Sequence, residues 1–106
     1  MYIIWQIAGK MTGSGFFGGE VGKRYLLFEL RDGHYRFYIF SPDHGPPHVH
    51  IRSKSGDRSV VIAINTSVVR KNKGFDDEEL GYMKCYVELR RAHILKRWDD
   101  IQHEED

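Results

Sequence analysis

The hydrophobic period of this chain changes once, near Gly74. Before that point apolar and polar residues alternate, the two-residue period of strands. After it apolar residues recur every three or four positions, the period of a helix. A single switch of this kind groups the strands together and leaves the helix at the end, which selects an α+β architecture over interleaved strand–helix units. RYLLFELRDGHYRFYIF reads as a β-hairpin, with Leu26, Phe28 and Leu30 on one face of its first arm and Tyr35, Phe37 and Ile39 on one face of its second. Asp32-Gly33 suits the tight turn between them. HVHIR and SVVIAIN read as two more strands joined near Ser55-Gly56-Asp57. A short strand at Val68 and Val69 is flanked by turns at Asn65-Thr66-Ser67 and Lys71-Asn72-Lys73-Gly74.

Beyond Gly74, Asp76 is a good N-cap, Glu79 completes a capping box, and Phe75 with Leu80 forms the hydrophobic staple around it. Leu80, Met83, Val87, Ile94 and Trp98 mark one apolar stripe, which predicts one long helix from about Asp77 to Trp98. The expected fold is an antiparallel sheet of about four to five strands with that long C-terminal helix packed on it.

A chain of 106 residues with 41% hydrophobic side chains supports one domain over 1–106. The start, MYIIWQIAGK, has too short an apolar run to span a membrane and lacks the basic opening of a secretion signal, so it reads as a strand. With the single Cys85 unable to form an intrachain disulfide, the expected setting is a reducing cytoplasm. Six glycines between Gly9 and Gly22 predict a loop, in which Phe16 and Phe17 either pin the loop to the core or form an exposed contact patch. Phe17 stands where a phosphate-binding loop ending in Gly22-Lys23 would need its first glycine, which excludes that motif. The net charge of +1 hides a basic middle: Arg52, Lys54, Arg58, Arg70, Lys71 and Lys73 against Asp57 alone. Such a run suits RNA, DNA or an acidic partner protein, and equally the solvated face of a sheet.

Three of the six histidines fall in DHGPPHVH, residues 43 to 50. On an extended strand His48, His50 and Arg52 share one face, and Val49 and Ile51 take the other, core-facing side. Pro46 and Pro47 stiffen the approach and hold Asp43 and His44 near the start of the strand. One chemistry is acid–base cleavage of RNA, with His48 and His50 as the proton-transfer pair, His44 and Asp43 orienting them, and Arg52, with Lys54 and Arg58, holding phosphate. Another is a divalent transition-metal site with His44, His48 and His50 as ligands. Nucleotide hydrolysis of the histidine-triad kind is disfavoured, because Arg52 replaces the last histidine of that pattern. The fourth reading is a rigid turn with solvated histidines and no chemistry. His93, His103, Cys85, Trp5 and Trp98 read as surface or core residues.

FSPDHGPPHVHIR, followed by two strands and a long helix ending in LKRWDD, resembles the small bacterial proteins grouped as domain of unknown function 4160. The likeness covers about residues 34 to 100, and a D-H-x-P-P-H-x-H signature matches at Asp43, His44, Pro46, Pro47, His48 and His50. Residues 1–33 look like an addition to the compact form, and 101–106 an acidic tail. The resemblance implies a small intracellular protein of a toxin–antitoxin-like system with a cognate protein partner. Its function is then an RNA-cleaving toxin, a metal-binding protein or a non-enzymatic binding module, and Phe16, Phe17 and Tyr82 offer aromatic surface for a homo-oligomer.

Overall fold

A computed structural model of the chain describes residues 22–103. The strand expected over MYIIWQIA, the glycine-rich loop with Phe16 and Phe17, Trp5 and the end of the acidic tail lie outside the described residues. Five strands come first: β1 (Lys23–Leu30), β2 (Tyr35–Ser41), β3 (His48–Arg52), β4 (Ser59–Ala63) and β5 (Val69–Lys73). Two helices follow, α1 (Asp77–Leu89) and α2 (Arg91–His103). The strands form one antiparallel meander in chain order, so each pairs with its sequence neighbour. Among the described residues no helix is long and apolar enough to cross a membrane.

Alternation does its expected work in the middle of the sheet. Tyr35, Phe37 and Ile39 on β2, Val49 and Ile51 on β3, and Val60 and Ile62 on β4 are all buried on one face. Met83 and Val87 of α1 and Ile94, Trp98 and Ile101 of α2 belong to the same core. On β1 the parity breaks. The register shifts between Leu26 and Phe28, so Tyr25 before the bulge, Leu27 at it, and Phe28 and Leu30 after it all pack against the core. Leu26, expected on the buried face with Phe28 and Leu30, is instead 47% exposed.

The single long helix expected from the apolar stripe is two helices. Arg90 leaves helical geometry at φ −106° and ψ 17°, and α2 starts at once and runs on to His103. A straight rod over both segments would be about 40 Å long, while strands of five to eight residues span about 17 to 27 Å. Bending at Arg90 lets both halves bury their apolar stripes on the sheet. Arg91 pins the bend: its Nε donates to the Ile64 carbonyl at 2.8 Å and an Nη to Ser67 Oγ at 2.8 Å. Arg91 thus serves the fold.

The start of α1 is as predicted. Asp76 Oδ1 accepts from the Glu79 amide at 2.8 Å, and Glu79 Oε1 accepts from the Asp76 amide at 3.1 Å. Glu79 also ties the helix to the sheet, accepting from the Tyr35 hydroxyl at 3.0 Å and from Arg58 Nη1 at 3.1 Å. Gly74, just before the cap, has φ +97°, and a Cβ there would lie 2.7 Å from Arg58 Cγ. Both facts require glycine.

Candidate metal centre

The segment between β2 and β3 carries the site. Its backbone is fixed from the helix side: Gln102 of α2 accepts from the Asp43 amide through Oε1 at 3.0 Å and donates Nε2 to the Phe40 carbonyl at 2.7 Å. The His44 amide donates to Asp43 Oδ1 at 3.0 Å, leaving the other carboxylate oxygen to turn toward β3. Gly45 completes the turn at φ +82°.

On β3 the parity reading holds. Val49 and Ile51 are fully buried, and His48, His50 and Arg52 lie half-buried on the opposite face. Asp43 Oδ2 sits 2.9 Å from His48 Nε2 and 3.6 Å from His50 Nε2, and the three ligand atoms lie within 4.8 Å of one another. An ion with bonds of about 2.0 to 2.2 Å holds its ligands roughly 3 to 3.5 Å apart, so this spacing is one a single divalent ion can share.

Two details sharpen the chemistry. His48 Nδ1 lies 2.9 Å from the Pro46 carbonyl, which can only accept, so that nitrogen donates. Nε2 therefore faces Asp43 Oδ2 at 2.9 Å, a gap that a shared proton or another cation bridges. A ring nitrogen held by a backbone carbonyl while the other turns toward an ion is the usual arrangement of a metal-ligating histidine. His50 Nε2 is buried and has no hydrogen-bond partner, since 3.6 Å to Asp43 exceeds a hydrogen bond. Burial, then the neighbouring His48, pushes His50 below the ordinary imidazole value of 6.5, with Asp43 opposing and Arg52 adding. Its ring is therefore neutral near pH 7 and keeps a lone pair.

Aromatic walls fix both rings. Phe40 stacks on His50 at 4.0 Å with the planes 11° apart, and Arg52 lies over the same Phe40 at 5.9 Å. Trp98 of α2, expected as a core anchor and 9% exposed, touches the His48 ring at 5.1 Å.

The other candidates separate by position. His44 is exposed and lines the mouth of a cleft of about 300 Å³ beside the histidines; the third side chain in the convergent set is Asp43. Arg52 shares the histidine face. Lys54 is exposed in the β3–β4 turn, and Arg58, beyond the same end of the hairpin, is engaged with Glu79. Sequence reasoning missed two residues that line the cleft, Arg70 and Lys71. The sequence places both in a basic run and Lys71 in a turn, whereas β5 continues through Lys73. Nothing in the local residues marks the bulge that turns them inward.

Neither the comparison with curated proteins nor that with solved structures found a match. The family described as Domain of unknown function (DUF4160) matches residues 35–99, from the start of β2 into α2 and including Asp43, His48 and His50. Because that match spans more than half of the 106 residues, the chain belongs to the DUF4160 family.

Proposed function

We propose that this chain binds one divalent transition-metal ion through Asp43 Oδ2, His48 Nε2 and His50 Nε2. The cleft lined by His48 and His50 lies beside this centre, and in this reading the chain uses the bound ion hydrolytically. The observation that carries the reading is the convergence of two imidazole nitrogens on one carboxylate oxygen, with His48 held from behind by the Pro46 carbonyl and His50 Nε2 buried without a partner. Two nitrogens and one oxygen suit zinc, iron or manganese, and such an ion supplies a Lewis acid and an acidified bound water. The setting we propose is a toxin–antitoxin-like system with a cognate protein partner. The test is metal content after expression in metal-replete medium: one equivalent in the wild type, and loss in Asp43→Asn, His48→Ala and His50→Ala. Absence of stoichiometric zinc, nickel, copper, manganese and iron refutes the reading.

A second reading, metal-free cleavage of RNA by His48 and His50, is favoured by their ring separation of 5.2 Å and by Arg52 on the same face. Against it, both Nε2 atoms turn inward to Asp43, away from a substrate. Purified protein that leaves RNA intact in chelator from pH 5 to 8 removes this alternative.

A further inference from the structure

The cleft beside the histidines has a charged wall that the strand pattern does not predict. β4 and β5 pair as Val61↔Lys71 and then Ile62↔Val69, so Arg70 is an extra residue on β5 with no partner in the ladder. In a regular strand two consecutive side chains point to opposite faces. Here Arg70 and Lys71 both line the same cleft as His44, His48 and His50. A bulge is the device that re-aims a side chain in this way, and bulges recur beside active sites. Lys71 stands in one cross-strand row with Val61 and His50, which places it two strand spacings, about 10 Å, from His50 along the open face. Among the described residues neither Arg70 nor Lys71 has an ion pair or a side-chain hydrogen bond, unlike Arg58 and Arg91.

Arg70 also borders a second hollow that extends the cleft into a longer groove. This hollow of about 290 Å³, lined by Pro47, Ala63, Val68 and the polar Asn65 and Thr66, shares Pro46 and Arg70 with the first. Val68 is 55% exposed there. The groove is thus cationic where it meets the histidines and mainly apolar beyond Arg70. That order fits a ligand with a compact anion at one end and an apolar or planar group at the other.

We infer that Arg70 and Lys71 form an anion subsite that holds the phosphate of an organic phosphate ester beside Asp43, His48 and His50, with the organic part of the ester along Pro46, Pro47 and Val68. As the substrate class of the hydrolytic centre, this rests on the metal reading. As a binding site, it does not. Arg supplies a forked donor and Lys a point charge, a pairing suited to phosphate oxygens.

The experiment measures binding of inorganic phosphate, adenosine 5′-monophosphate and a trinucleotide of single-stranded RNA to the full chain by titration calorimetry. It is run once in chelator and once with one equivalent of zinc. The expected result is that the two organic phosphates bind more tightly than inorganic phosphate, and that Arg70→Gln/Lys71→Gln weakens all three by about tenfold or more while leaving zinc stoichiometry unchanged. Lys84→Gln/Lys96→Gln, an equal loss of charge on the helices, has little effect. A trinucleotide preferred over the mononucleotide assigns a polymer, and the reverse a small ester. The inference is overturned if the Arg70/Lys71 variant binds as the wild type does, or if the helix variant loses as much. His48→Ala/His50→Ala separates the two proposals: if it loses zinc but keeps phosphate binding in chelator, the subsite stands whatever the metal does.

Discussion

Glu79 joins three parts of the fold through one carboxylate, so its removal has a calculable cost. Oε1 accepts from the Asp76 amide, and Oε2 from the buried Tyr35 hydroxyl and from Arg58. Loss of the capping contact costs about 1 kcal/mol. The Tyr35 hydroxyl, left without its acceptor, adds about 1 kcal/mol. The Arg58 pair, with side-chain exposures of 37% and 20%, adds about 0.5 kcal/mol. Glu79→Ala is therefore expected to destabilise by about 2 to 3 kcal/mol, a fall in Tm of roughly 10 to 20 °C for a domain of this size. Glu79→Gln, which keeps one carbonyl acceptor, costs about half as much. The Asp76 amide, then the Tyr35 hydroxyl and Arg58, hold the Glu79 carboxyl below its ordinary value of 4.5, against the opposing effect of burial. Its folded value is depressed, so its stabilisation is complete above the unfolded value and is lost as pH falls through the folded one. Urea denaturation of wild type and Glu79→Gln from pH 7 to 3 should therefore show two curves that converge below about pH 4.5. A difference that stays constant to pH 3, or a cost below about 0.5 kcal/mol for both variants, refutes the assignment of Glu79 as a charged hub.

Other outcomes follow from the same geometry. Ile51→Ala empties a fully buried site behind the histidine strand and should cost about 2 to 5 kcal/mol by denaturant titration. Gly74→Ala meets both a left-handed backbone and the Arg58 side chain, so a loss above about 1 kcal/mol is expected in the same assay. Gln102→Ala releases the Asp43 amide and the Phe40 carbonyl; ion affinity should drop about 10- to 100-fold in a chelator competition, while Tm moves by only a few degrees. Arg91→Met strands the Ile64 carbonyl and should destabilise by about 1 to 3 kcal/mol, so a partner-binding defect in an Arg91 variant reads as folding unless Arg90→Glu shows it too.

What the sequence made legible was whatever depends on a regular period. The hairpin, the face shared by His48, His50 and Arg52, and the capping box at Asp76 all follow from two- or three-residue spacing, and each is present. The illegible features interrupt a period without a marker residue. Leu27 and Arg70 are bulges with no glycine at either position, and they form because the register on both sides is set by other contacts. The bend at Arg90 falls in ELRRAH, where local helix propensity is high, and is imposed by the sheet and by the anchor at Ile64. Strand parity also stops at the strand's end. It orders His48 and His50, but whether Asp43 or His44 turns toward them is decided in a loop, by one backbone hydrogen bond from the His44 amide.

Gln102 places the last turn of α2 in the same linkage as the loop that carries Asp43. With an ion bound as proposed, helix docking and ion affinity become reciprocal quantities: a protein that grips α2 and draws Gln102 away weakens the ion by some factor, and the ion weakens that protein by the same factor. A partner could therefore set the occupancy of the centre by gripping the end of α2, without touching a histidine.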